Sequence, residues 1–209
     1  TGGCGFIGSH LVEFFLKKKQ KVVVFDKKGK RYEKNWLKNF KHKNLKIILD
    51  DIRNYNKLDK IIKNCSQVIH LAAAISIPHS YLYPREHVSI NILGTLNVLE
   101  CCREFRFIKS TVLITSDKCY ENVGKLRRYK EEDPLGGIDP YSASKASSEI
   151  IIRAYRESFF KEKTISGISS ARAGNVIGGG DWSGKRLIPD CIRSLLGNKS
   201  IYLRNPNFN

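Results

Sequence analysis

The chain has 209 residues, 41% of them hydrophobic, which suits one folded domain with part of a second and excludes a disordered polymer. No apolar run approaches the roughly 20 residues a membrane-spanning helix needs, and no stretch reads as a signal peptide, so a soluble, cytoplasmic protein is expected. The formal charge of +17 is spread over polar faces and loops, as in Lys17–Lys19 and Lys41–Lys43; without a recognisable reading element it points away from nucleic acid and toward a solvated surface or an anionic substrate.

In chain order, a glycine-rich opening leads into apolar residues at helical spacing over 7–16. Residues 21–26 form a β-branched run ending in Asp26, and 45–49 a second strand. A helix is predicted over 55–63, then a strand over 67–71 followed by small residues 72–74. Residues 87–105 have a helical period and 111–115 read as a strand. A long polar loop, 121–139, precedes a long amphipathic helix over 141–160; a weaker strand over 164–170 and a helix over 187–196 close the series. Strands alternating with helices imply an α/β, doubly wound parallel sheet of the Rossmann type, with ligands beyond the carboxyl ends of its strands. The expected division is a nucleotide-binding domain at 1–170 and the start of a smaller substrate-binding lobe at 171–209. A glycine loop of this kind follows a strand, yet the sequence starts at Thr1 and contains no Met, so a fragment without its first strand is expected, cut at the far end as well.

Gly2, Gly5 and Gly8 make a G-x-x-G-x-x-G pattern. Glycines permit a tight turn and close approach of a pyrophosphate, and the helix start at Phe6 and Ile7 offers free N–H groups to an anion. Asp26 ends the next strand, where an acid accepts hydrogen bonds from an adenosine ribose and repels a 2′-phosphate, so NAD is favoured over NADP as the cofactor. The six cysteines show no paired or zinc spacing, and His79 and His87 have no ligand cluster beside them, so no metal is expected.

Tyr141 and Lys145 form Y-x-x-x-K at a helix start, which puts both side chains on one face. A free tyrosine, with a pKa of about 10, is a poor base at neutral pH; a neighbouring ammonium favours its phenolate. Together with the glycine loop and Asp26, these residues resemble the extended short-chain dehydrogenase/reductase family of NAD-dependent epimerases and dehydratases. The resemblance implies further cofactor contacts from Asp51 and Ile52 at the adenine, from Leu71, Ala72 and Ala73 along the cofactor, and from Asn91 on the central helix. It also makes Ser116 the hydroxyl that binds the reacting sugar alcohol, completing a catalytic set with Tyr141 and Lys145.

Asp117 and Lys118 follow Ser116, and this pair, with segments 133–141, 172–182, 186–190 and 204–206, is similar to CDP-glucose 4,6-dehydratases; segments 1–8 and 74–78 depart from that pattern. The resemblance implies that Asp117 protonates a departing C6 hydroxyl and Lys118 removes the C5 proton, with Asn175, Arg186 and Leu187 near the substrate. A nucleotide sugar, CDP-glucose above others, is the expected partner, and the family's homodimer pairs through helices 91–105 and 141–160. The alternatives are a nucleotide-sugar 4-epimerase, a dehydratase of dTDP- or GDP-sugars, and a non-catalytic NAD(P)-binding scaffold.

Overall fold

The computed structural model describes the chain except for residues 30–32, 34, 106, 123, 125–126, 162–166, 205 and 207–209. Two units are present, Thr1–Gly174 and Asn175–Asn209. The Asp117 amide donates to the Ala173 carbonyl at 3.0 Å, which ties the segment after the last strand back to the strand ends.

The first unit opens with helix α1 (Phe6–Lys17) and strands β1 (Val22–Asp26) and β2 (Leu45–Leu49), with a 3₁₀ turn, Trp36–Lys38, between the strands. Helix α2 (Tyr55–Ile62) leads to β3 (Gln67–His70). Helices α3 (Ile77–Leu82) and α4 (Pro84–Val88), a π-turn (Ser89–Leu93) and α5 (Gly94–Glu104) follow, then β4 (Ser110–Ile114) and a 3₁₀ turn, Asp117–Cys119. Helix α6 (Pro140–Phe159) and β5 (Gly167–Ala171) complete it. Part of the predicted strand at 164–170 lies outside the described residues; β5 covers the remainder.

All strand pairs are parallel, but they form two sheets, β1–β2 and β3–β4–β5. The first residues of the chain lie between them: the Gly2 amide donates to Phe25 O on β1 at 2.9 Å, while Thr1 N donates to Ile69 O at 2.7 Å and Thr1 O accepts from Leu71 N at 3.1 Å beside β3. Successive residues of β1 face opposite ways. Val24 packs with Cys4, Val12, Leu16 and Leu37, and Phe25 enters the main core with Leu58, Val98, Leu99, Leu113, Ile152 and Ile168. Both faces are therefore covered, which is the condition for a parallel sheet of nearly continuous apolar strands.

The single helix predicted over 87–105 is broken. Its first turn belongs to α4, and the π-turn separates that from α5. A further helix, α3, starts where the Ser76 hydroxyl accepts from the His79 amide and Pro78 occupies the first turn. All six cysteines are free. Among the described residues no helix is long and apolar enough to cross a membrane, and no cluster of His, Cys, Asp or Glu is placed to hold a metal ion.

Candidate active site

The motifs converge at the carboxyl ends of the strands. Gly2 has φ +72°, and a Cβ there would lie 2.5 Å from the Ala72 amide nitrogen; one on Gly8 would lie 2.2 Å from Gly2 O. The loop thus packs backbone to backbone against the segment after β3, a close approach only glycine allows. Gly5 before α1 brings no capping side chain, so among the described residues no cap competes with an anion for the amides of Phe6, Ile7 and Gly8 in its first turn.

Asp26 faces this loop. Its Oδ2 accepts from the Cys4 amide and its Oδ1 from the Lys27 amide, each at 2.7 Å. Asn35, a residue no sequence pattern singled out, completes the clamp by donating to Cys4 O at 3.0 Å. Asp51 is held by Arg53 in a two-point ion pair at 2.7 and 2.8 Å, which keeps its carboxyl below the ordinary range. Arg53 also donates to Ser89 Oγ on the π-turn at 3.0 Å. Ile52 is buried, and its carbonyl accepts from Asn97 on α5 at 3.0 Å.

Asn91 sits in the π-turn, buried, with three hydrogen bonds at its amide. Its Oδ1 accepts from Ala74 N at 2.8 Å, and its Nδ2 donates to Ala74 O at 3.0 Å and to Ser144 Oγ at 2.8 Å. Its backbone carbonyl accepts two hydroxyls, Thr95 at 2.6 Å and Ser148 at 3.0 Å. The side chain therefore fixes the Leu71–Ala74 segment to α6, and two serines four residues apart on α6 supply the polar face that meets the π-turn. Both amide hydrogens of Asn91 are thus spent within the protein, and its Oδ1 keeps one lone pair.

Asp139 caps α6 by accepting from the Ser142 amide at 2.9 Å and the Ser142 hydroxyl at 2.6 Å. That start places Tyr141 and Lys145 on a face packed against the Asp117–Cys119 turn. Both are buried, Lys145 to 6% exposure. Its Nζ donates to Ile114 O, two residues before Ser116, at 3.3 Å. Burial pushes the Lys145 ammonium down to about 8, against the opposing pull of Glu149 and Cys119. Ser116 caps the turn: its Oγ accepts from the Lys118 amide at 3.2 Å and donates to Asp117 Oδ1 at 3.0 Å. Asp117 is half-buried, whereas Lys118 is exposed, because the turn directs Cys119 inward in its place.

The long loop is anchored at both ends. Glu121 N donates to Pro134 O, and Gly136 N donates to Cys119 O, each at 2.9 Å. A cleft of about 580 Å³ lined by Leu16, Lys17, Trp36, Phe40 and His42 lies by the start of β1, at the other end of the strand from these groups. Asn175, Arg186 and Leu187 belong to the second unit. There helix α7 (Leu187–Leu196) begins after Arg186 without a side-chain cap, Leu187 is exposed, and Asp190 is bound by Arg193 and, at 2.8 Å, by Arg204.

The model of the GDP-mannose 4,6 dehydratase family matches residues 1–205. The chain belongs to that family. A CDP-glucose 4,6-dehydratase of Salmonella typhimurium is 44% identical over 164 residues, 76% of this chain and 46% of the relative. A dTDP-D-glucose 4,6-dehydratase of Dictyostelium discoideum is 32% identical across 95% of this chain and 48% of its own. Among solved structures, the UDP-N-acetylglucosamine 4-epimerase of Methanobrevibacter ruminantium superposes with a TM-score of 0.82 at 30% identity, covering 95% of this chain and 62% of that one. The dTDP-glucose 4,6-dehydratase of Bacillus anthracis, solved with NAD, gives 0.79 at 28%, covering 96% and 61%. The chain spans about half the length of the curated relatives it matches.

Proposed function

We propose that the protein is an NAD-dependent nucleotide-sugar 4,6-dehydratase acting on CDP-glucose. The observation that carries this reading is the Ser116–Asp117–Lys118 turn at the end of β4, packed against the helix that holds Tyr141 and Lys145. The similarity to the Salmonella enzyme supports the choice of nucleotide.

The glycine loop fits a dinucleotide: it leaves no room for side chains at Gly2 and Gly8, and the first turn of α1 is uncapped. Asp26, at the end of β1, receives an adenosine ribose; Asp51 and Ile52 lie at the adenine, and Leu71–Ala73 line the cofactor. The chemistry that NAD supplies is reversible hydride transfer. The remaining work falls to the chain. Ser116 holds the C4 hydroxyl of the sugar, and Tyr141, supported by the Lys145 ammonium, takes its proton as the C4 hydrogen leaves as hydride, the two losses that together make a 4-ketone. The resulting 4-ketone acidifies C5–H. Lys118 removes that proton and Asp117 protonates the departing C6 hydroxyl, so that water leaves. The hydride taken from C4 then returns to C6 and a proton returns to C5, giving CDP-4-keto-6-deoxyglucose. Lys118 stands exposed beside Asp117, where bound substrate and cofactor would exclude water from it. Asn175, Arg186 and Leu187 are assigned to the substrate, the guanidinium to its diphosphate.

The test is incubation with NAD and, separately, CDP-glucose, dTDP-glucose, UDP-glucose and GDP-mannose. Loss of one water from CDP-glucose in preference to the others is expected. An isomer of unchanged mass from UDP-glucose would mean a 4-epimerase instead. NAD binding without turnover of any of the four would mean a non-catalytic scaffold or a different sugar. We also infer a homodimer through α5 and α6, whose exposed Ile150 and Phe159, with Leu93 on the π-turn, are apolar side chains suited to burial against a second copy.

A further inference from the structure

One buried carboxylate takes no part in the reaction as described. Glu149 lies one turn beyond Lys145 on α6 and is 3% exposed. Its partners come from two strand ends. Oε1 accepts the Thr115 hydroxyl after β4, and Oε2 accepts Ser170 Oγ on β5 and Arg172 Nη2 beyond it, both at 2.9 Å. Burial pushes its carboxyl up, but these hydrogen bonds and the Arg172 charge outweigh burial and hold it below the ordinary range, as an anion. Arg172 also donates to Tyr120 OH at 2.9 Å and to Glu131 O at 2.8 Å, and its guanidinium lies 4.9 Å from the centre of the Tyr120 ring. Tyr120 in turn stacks on Tyr129. One ion pair thus joins α6, the ends of β4 and β5, the turn bearing Asp117 and Lys118, and the long loop.

A buried Arg–Glu pair is seldom more stabilising than apolar side chains of the same volume, so fold stability alone is a weak reason for it. Its place beside Lys145 is a better one. Cys119, whose charge would also oppose deprotonation of Lys145, has a thiol pushed up to about 11 by burial and carries no charge at neutral pH. His70 at the end of β3 is held neutral, first by burial and then by the positive charges beside it, Lys145 among them. Among the described residues, the elements packed against α6 also carry Asp117 and Lys118 on the turn, His79 and Tyr81 on α3, Arg85, Glu86 and His87 on α4 and Glu100, Arg103 and Glu104 on α5, while Tyr141 lies on α6 itself and Arg172 beyond β5; the π-turn has none. Glu149 is the buried anion one helical turn from Lys145.

We propose that Glu149 is a positioning residue for the Tyr141–Lys145 pair: it is the fixed counter-charge that keeps Lys145 an ammonium, and its bond to Arg172 sets that turn of α6 against the Asp117–Tyr120 turn. The inference rests on the catalytic reading of Tyr141 and Lys145. It is tested by titrating Lys145 directly, by NMR of protein carrying ¹³Cε-lysine with the signal assigned through Lys145→Met, alongside the pH profile of kcat/KM. In Glu149→Gln the Lys145 pKa falls from about 8 by about one unit, and the alkaline limb of the profile moves down with it. Glu149→Asp, which keeps the charge, leaves both nearly in place. A purely structural role lowers rate or melting temperature and moves neither titration. The double variant Glu149→Met/Arg172→Met strands no charge and serves where the single variant fails to fold; a smaller fall in the same direction is expected, because the Arg172 charge is removed with that of Glu149. A Lys145 pKa unmoved in whichever variant folds overturns the proposal. The NMR titration needs no substrate, so an enzyme without turnover counts against the functional reading alone, while the titration still decides the role of Glu149.

Discussion

Lys145 is held in its site at a cost. Its folded pKa of about 8 lies below the ordinary lysine value of 10.5, so between those values the unfolded chain binds more protons than the folded one. Stability therefore rises with pH across that window, and below it the full penalty, about 3 kcal/mol, is present. Lys145→Met removes the charge and keeps the length. It is expected to raise stability by about 1–3 kcal/mol at pH 7 while abolishing turnover, with the gain shrinking as pH climbs above 8; thermal melts from pH 6 to 10 check this. A Met variant less stable at pH 7 would mean that the Lys145–Ile114 contact outweighs the desolvation. Asp117 offers a cleaner division of labour. Asp117→Asn removes the proton donor, keeps an oxygen that can accept from Ser116 Oγ and leaves Tyr141 and Lys145 in place, so single-turnover reduction of NAD should persist while water loss slows by about 100-fold or more. Unchanged dehydration would take the role away from Asp117.

At the scale of elements, the glycine loop and the π-turn hold the site's geometry. Gly2→Ala is expected to cost about 1–3 kcal/mol and to weaken dinucleotide binding, because the added methyl meets the Ala72 amide and the backbone conformation strains any side chain. Denaturant unfolding and NAD titration measure the two effects. Asn91→Ala leaves the Ala74 amide and carbonyl without their partner and should cost about 2–3 kcal/mol. Much of this region was legible in the sequence: the glycines, Asp26 at the strand end, and the Tyr141–Lys145 spacing are local patterns with local causes. The break between α4 and α5 was not. A helical period persists through a π-turn, and what stabilises the turn here, the Ser148 and Thr95 hydroxyls on the Asn91 carbonyl, includes a contact between residues 57 positions apart. Asn35 escaped notice for the same reason, since its bond to Cys4 spans 31 positions. Lys118 shows the opposite limit: the motif marks it, yet the turn leaves it in water.

For the whole molecule, parallel strands gathered in two sheets around Thr1 and Gly2 bring the groups proposed for catalysis, Ser116, Asp117, Lys118, Tyr141 and Lys145, to one end of the first unit. The opposite faces of β1 explain how a short strand serves two packed layers. If α5 and α6 pair with a second copy, light scattering should give twice the monomer mass, and Ile150→Glu, on the exposed side of α6, should halve it without loss of fold. The central claim is that hydride leaves C4 and returns to C6 within one active site while water is lost. Turnover of CDP-glucose deuterated at C4, in ordinary water, tests it most directly. The account predicts a 4-keto-6-deoxy product that keeps the deuterium, now on C6; a product with the label washed out, or still at C4 of an isomerised sugar, would contradict it.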